Sequence, residues 1–121
     1  MHDEMIQRVL LVDDHDGVRA ALRAGLERNP SIRVVAEASD GDTAVRAAKA
    51  NGIDAVLLDL SMPGVDGRAA LPALRKVLPD ARIVVFSGQA EQLGTDEAAR
   101  LGADAVVAKH EGLAGVRAAL A

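Results

Sequence analysis

Ala55-Val56-Leu57-Leu58-Asp59-Leu60 is the stretch on which the reading of this chain turns. Four apolar residues in succession are short for a helix and suit a strand covered on both faces. A carboxylate inside such a run is costly to bury without a partner. Asp59 therefore marks the point where the strand ends and polar chemistry begins. Working outward, four more runs of the same kind stand at Val9 to Val12, Ile32 to Ala36, Ile83 to Phe86 and Ala105 to Ala108. Most are rich in β-branched residues or Leu and bounded by Asp, Gly or Ser, the pattern of short buried strands.

Amphipathic stretches separate the runs. Val18, Leu22 and Leu26 recur at helical spacing, a core stripe that stops at Asn29-Pro30. Asp40 or Asp42 suits the cap of a second helix running toward Lys49 and ended by Asn51-Gly52. Asp66 suits the cap of a third, with Leu71, Leu74 and Leu78 before Pro79. Pro72 removes a helical hydrogen bond there, so a kink or an irregular first turn is expected. A fourth helix is expected from about Glu91 to Leu101, stopped by Gly102, and a weak fifth, carrying Gly115, from Leu113 to Leu120. Strict alternation of strand and helix gives an α/β fold: a parallel sheet with helices on both faces, whose right-handed crossovers allow only a few doubly wound orders.

A chain of 121 residues, half of them hydrophobic, fills one domain. Phe86 is its single aromatic residue, so Val, Leu, Ile and Ala must build the core. A net charge of −4 argues against nucleic-acid binding by this segment, because phosphate contacts need a basic face. With no cysteine, neither a disulfide framework nor a thiolate metal site is available. No apolar run approaches the roughly 20 residues that span a bilayer, and no signal peptide opens the chain. A cytoplasmic protein without membrane contact is expected. Residues 1–7 read as a flexible N-terminus and 8–121 as the domain, ending directly after its last helix as an excised or minimal stand-alone domain would.

Polar residues fall in a pattern. The first strand runs into Asp13-Asp14, the third into Asp59, the fourth into Ser87 and the fifth into Lys109. The second delivers nothing, as suits a marginal strand. Ligands of open parallel sheets bind beyond the carboxyl ends of the strands. Three carboxylates gathered there repel one another unless a cation joins them, and hard oxygen ligands favour Mg²⁺. A carboxylate can act as nucleophile and form an aspartyl phosphate. Such a transfer asks mainly for positioning and charge neutralisation, for which Lys109 offers a point charge and Ser87 a hydroxyl. Taken singly, each residue has a plainer reading: Asp13 and Asp14 as caps of the first helix, Ser87 as a loop residue capping the fourth, Lys109 as a solvated lysine. Asp66 and Gly67 suit a turn and helix cap. His15 reads as a surface residue, because neighbours in Asp13-Asp14-His15-Asp16 are not expected all to converge on one ion, and His2 and His110 lack ligand spacing.

Over nearly its whole length the chain resembles the receiver domains of two-component response regulators. The resemblance rests on Val12-Asp13-Asp14, on the segment from Asp59-Leu60-Ser61-Met62-Pro63-Gly64 to Val65-Asp66-Gly67, on Phe86-Ser87-Gly88 and on Ala108-Lys109. It implies a flavodoxin-like sheet of strand order 2-1-3-4-5 with five helices. It further implies that Asp59 is the phosphoacceptor, taking a phosphoryl group from a sensor histidine kinase. Asp14, Asp59 and the Ser61 carbonyl would bind Mg²⁺ directly and Asp13 through water, with Ser87 and Lys109 completing the site. Such a domain is a signalling switch whose only catalysis is its own phosphotransfer and slow dephosphorylation. Leu60-Ser61-Met62-Pro63, Leu101-Gly102-Ala103-Asp104 and the missing proline after Lys109 look most like the branch with a LuxR-type helix-turn-helix output, which would contact DNA outside this segment; whether the domain forms a homodimer is left open by the sequence.

Two positions depart from the family. The aromatic switch residue three before the lysine is Val106, and Lys109 is followed by His110 rather than proline. The rival reading is a pseudo-receiver or stand-alone receiver acting as an interaction module, which the intact acidic set opposes and Val106 favours. A dehalogenase-type hydrolase would need an acid where Ser61 stands. A dinucleotide or flavin domain would need a glycine-rich phosphate loop, which is absent.

Overall fold

Five strands, β1 (Gln7–Val12), β2 (Ile32–Ala38), β3 (Ala55–Leu58), β4 (Arg82–Ser87) and β5 (Ala105–Ala108), form one sheet in a computed structural model that describes residues 6–60, 67–88 and 93–121. The order is β2-β1-β3-β4-β5 and every neighbouring pair is parallel. Five α-helices accompany them among the described residues: α1 (Asp16–Leu26), α2 (Gly41–Ala50), α3 (Gly67–Val77), α4 (Thr95–Leu101) and α5 (Gly112–Leu120). A single 3₁₀ turn over Lys109–Glu111 links β5 to α5.

Alternation along each strand sends side chains to two cores, one on each side of the sheet. Leu10, Val12, Val56, Leu58, Ile83 and Val85 meet Ala44, Leu71, Leu74 and Ala98 of α2, α3 and α4. Val9, Leu11, Leu57, Val84 and Phe86 meet Leu22, Leu26, Val116 and Leu120 of α1 and α5. The stripe Val18, Leu22 and Leu26 is core, as its spacing implies.

Several elements differ from the sequence expectation. β1 takes in Gln7, which the sequence grouped with the loose N-terminus; its backbone N–H reaches the Ser31 carbonyl at 2.7 Å and its side chain the Leu120 carbonyl at 3.2 Å. Residues 1–5 lie outside the described residues. β2 continues two residues past Ala36, because a register shift between Val9 and Leu10 sets its seven residues against the six of β1 and pairs Val12 with Ala38. α3 runs continuously through Pro72, which lies beyond the first turn and is exposed. Asp66, the expected cap, and Glu91, the expected start of the fourth helix, lie outside the described residues. α5 is a full helix despite Gly115: a Cβ there would meet Val107 Cγ1 at 2.9 Å, so the glycine lets the helix close on β5.

No helix among the described residues is long and apolar enough to cross a membrane.

Candidate functional site

Register brings the site together. Val12 pairs with Leu58, so the residues that follow them, Asp13 and Asp59, emerge side by side from adjacent strands. Backbone bonds carry the ladder one step further, from Asp59 N to the Val12 carbonyl at 2.9 Å and from Asp13 N to the Ala38 carbonyl at 3.0 Å. β1 lies between β2 and β3, so the chain leaves it in one direction and returns on the other side. Ligands of open α/β sheets bind in the crevice at such a switch point. On the far side of β3, Ser87 closes β4 and pairs with Ala108, which places Lys109 at the same edge.

Asp13 and Asp59 are each 3% exposed and Ser87 is fully buried. Lys109 Nζ stands 2.7 Å from Asp13 Oδ2 and 3.8 Å from Asp59 Oδ2, and 5.1 Å from the centroid of the Phe86 ring. One ammonium thus bridges two buried carboxylates over an aromatic face. Burial alone would raise the pKa of Asp13. Hydrogen bonds from Lys109 and from the backbone and ring of His15 outweigh it and hold the carboxyl below the ordinary value. The acidic turn is steadied from outside by Arg19, which donates to the Asp13 carbonyl and, at 3.0 Å, to Glu37 of β2.

Sequence reasoning read His15 as a surface residue, and its side chain is 62% exposed; the structure adds that it borders the acids. His15 is the N-cap of α1, with extended backbone (φ −97°, ψ 111°), and neither Asp13 nor Asp14 holds that position. Its backbone N–H donates to Asp13 Oδ1 at 2.8 Å, and this turn brings the ring back over the acids. Nδ1 lies 2.9 Å from Asp13 Oδ1 and 3.0 Å from Asp14 Oδ1. Asp13, Asp14, His15 and Asp59 each offer a ligand atom, all within 4.8 Å of one another, and such a set can hold a divalent ion. Three of the four neighbours converge, because the chain bends directly after β1, and Asp16 stands outside the set, so the string as a whole does not meet at one point. His15 is also raised above its usual pKa, first by the hydrogen bond to Asp13 and then by the charge of Asp14. Ser61 lies outside the described residues. Val106 sits in β5, pairs with Val85 and packs partly buried against the core of α2, α3 and α4. His110 is exposed in the turn after Lys109.

The response regulator receiver domain profile matches residues 9–121. The chain belongs to that family. This receiver domain is 45% identical over 83 residues to the response regulator UvrY of Escherichia coli O6:H1, covering 69% of its own length and 38% of UvrY's. It superposes with a TM-score of 0.86 on a response regulator from Burkholderia pseudomallei, solved with a phosphorylated aspartic acid, calcium ion and citrate. That structure is 30% identical, with 95% of this chain and 66% of that one covered. It matches a LuxR-family two-component response regulator from Aurantimonas sp. SI85-9A1 with a TM-score of 0.82 and 36% identity, over 93% of this chain and 81% of that one. The receiver domain spans less than half the length of curated relatives such as UvrY.

Proposed function

We propose that this receiver domain takes a phosphoryl group onto Asp59 from the phosphohistidine of a partner kinase, in a Mg²⁺-dependent reaction, and so switches an output. The observation that carries the proposal is Asp59 itself: a carboxylate 3% exposed at the switch point of the sheet, 3.8 Å from Lys109 Nζ and grouped with two further acids.

The donor set suits the ion. Asp14 Oδ1 is buried and accepts no hydrogen bond, and it faces the other carboxylates as an oxygen awaiting a hard cation would. Asp14 and Asp59 would hold Mg²⁺, with Asp13 at one remove through water. When bound, Mg²⁺ neutralises charge on the transferred phosphoryl oxygens. Asp59 supplies the attacking oxygen: a bond to phosphorus forms as the donor's nitrogen–phosphorus bond breaks. Lys109 is tethered to Asp13 within reach of Asp59 and supplies positive charge to the acyl phosphate. Ser87 closes β4 at the same edge and supplies a hydroxyl donor. Return of the free carboxylate by slow hydrolysis resets the switch. In the solved relative from Burkholderia pseudomallei, a phosphorylated aspartic acid is accompanied by a calcium ion. Likeness to a LuxR-family regulator supports an output through a DNA-binding domain beyond this segment, in the cytoplasm.

Incubating the domain with Mg²⁺ and acetyl phosphate and weighing it intact tests the chemistry. A single phosphoryl adduct is expected in the parent and none in Asp59→Ala. An adduct that persists in Asp59→Ala would remove Asp59 from its role, and no adduct in the parent would leave a receiver that acts through protein contacts alone. Val106→Ala is expected to change the extent of labelling little, since Val106 packs into the core behind the site.

A further inference from the structure

The proposed chemistry gives Arg19 no task, yet its largely buried guanidinium is directed at the turn that carries the acids. It donates through Nη1 to the Asp13 carbonyl, through Nε to Glu37 Oε1 at 3.0 Å and through Nη2 to Asp16 Oδ1. The Asp13 carbonyl belongs to the peptide unit that joins Asp13 to Asp14. That unit is planar, and the Asp13 N–H ahead of it is already held by the Ala38 carbonyl at 3.0 Å. Gripping its oxygen therefore sets the direction in which Asp14 leaves it. Asp14 depends on that direction. Its Oδ1 is buried and accepts no hydrogen bond, and its charged neighbour, the His15 ring, is exposed and bonded to Asp13. The main chain must place this carboxylate, and Arg19 holds the main chain. Glu37 in turn holds Arg19 from β2, where it pairs with Leu11, two residues before Asp13.

We infer that Arg19 is a positioning residue of the metal site: it ties the Asp13–Asp14 peptide to Glu37 and so aims the Asp14 carboxylate at the ion. The inference rests on reading the cluster as the Mg²⁺ site of a phosphoacceptor. It gives β2, which delivers no ligand to the edge, a part in the site through Glu37 and Arg19. Mg²⁺ demands near-ideal octahedral geometry, so a carboxylate turned away from its place loses much of its value as a ligand. Groups that orient metal ligands without touching the ion commonly govern affinity for that reason.

Calorimetric titration of Mg²⁺ into the whole chain tests this with the parent, Arg19→Met and Arg19→Lys. Gly102→Ala serves beside them as a variant weakened elsewhere, since Gly102 ends α4 ahead of β5. Arg19→Met is expected to weaken Mg²⁺ about tenfold or more. Arg19→Lys keeps the charge but loses the planar fork that spans carbonyl and carboxylate, and is expected to fall between. The sign is diagnostic, because by charge alone the loss of a nearby cation would tighten a dication among the acids. In labelling with acetyl phosphate, the Mg²⁺ concentration for half-maximal rate should rise in both variants while the limiting rate holds. Gly102→Ala should melt early and bind Mg²⁺ as the parent does. Unchanged or tighter Mg²⁺ binding in Arg19→Met overturns the inference. So does an equal loss in Gly102→Ala, which would trace the effect to stability alone. Should Arg19→Met not fold, parental Mg²⁺ affinity in Arg19→Lys overturns it in the same way. A parent that binds no Mg²⁺ and takes no phosphoryl group would instead remove the reading of the site on which the inference stands.

Discussion

Asp40 shows what one carboxylate does where a strand becomes a helix. Its side chain accepts from the Thr43 backbone N–H at 2.8 Å and from the Thr43 hydroxyl at 2.9 Å, closing the first turn of α2. Those bonds, the backbone one foremost, lower its pKa. A carboxyl whose folded pKa is depressed stabilises the fold above its unfolded pKa, about 3.9 for Asp, and loses that contribution as pH falls through the lower folded value. Asp40→Ala is therefore expected to melt below the parent at neutral pH, and the gap should narrow from about pH 4 downward. Thermal unfolding at a series of pH values checks it, and a gap independent of pH would mean that the cap is not electrostatic. At this scale the sequence left two choices, Asp40 and Asp42, because only backbone geometry decides which side chain faces the free N–H groups. The contacts of His15 with Asp13 and Asp14 were hidden for a related reason: they come from a bend after β1 that no residue spacing announces.

Elements are legible where their periodicity is long and less so where tertiary contacts override propensity. Gly115 lowers helix propensity locally, yet α5 forms because the missing Cβ admits Val107. Gly102 works in reverse. It ends α4 with φ +116°, and a Cβ there would meet Arg75 Cβ at 2.9 Å. Arg75 donates to the Gly102 carbonyl at 2.9 and 2.8 Å and to the Ala81 carbonyl at 2.7 Å, which ties the end of α3 to the starts of β4 and β5. Gly102→Ala combines backbone strain with a clash and is expected to cost about 1–3 kcal/mol in urea unfolding. A neutral result would show that the turn relaxes freely. β2 ran longer than its apolar run because its last residues earn their place by pairing with β1, a partner no local pattern reveals.

At the scale of the molecule, alternation narrowed the sheet to a few doubly wound orders and the family resemblance chose among them. The gathering of Asp13, Asp14, Asp59, Ser87 and Lys109 at one edge followed from which strands end in polar residues. Their relative heights did not, since these depend on the Val12–Leu58 and Ser87–Ala108 registers. The two cores lie on opposite sides of the sheet, and Leu26 and Leu74 are fully buried one in each. Truncating either to Ala is expected to cost about 2–5 kcal/mol. The double variant should lose nearly the sum, within about 0.5 kcal/mol, because the sites share no partner. Denaturant titration measures all three, and a strongly non-additive double variant would mean that the sheet transmits strain between its faces.

Phe86, lying beneath the Lys109 ammonium, has an optical consequence. Without Trp or Tyr the chain is almost dark in the near ultraviolet. A tryptophan installed in place of Phe86 would be its sole emitter, set against the Lys109 ammonium that reaches both Asp13 and Asp59, so any colour change on adding an ion or a phosphoryl donor would report from that edge of the sheet with no background.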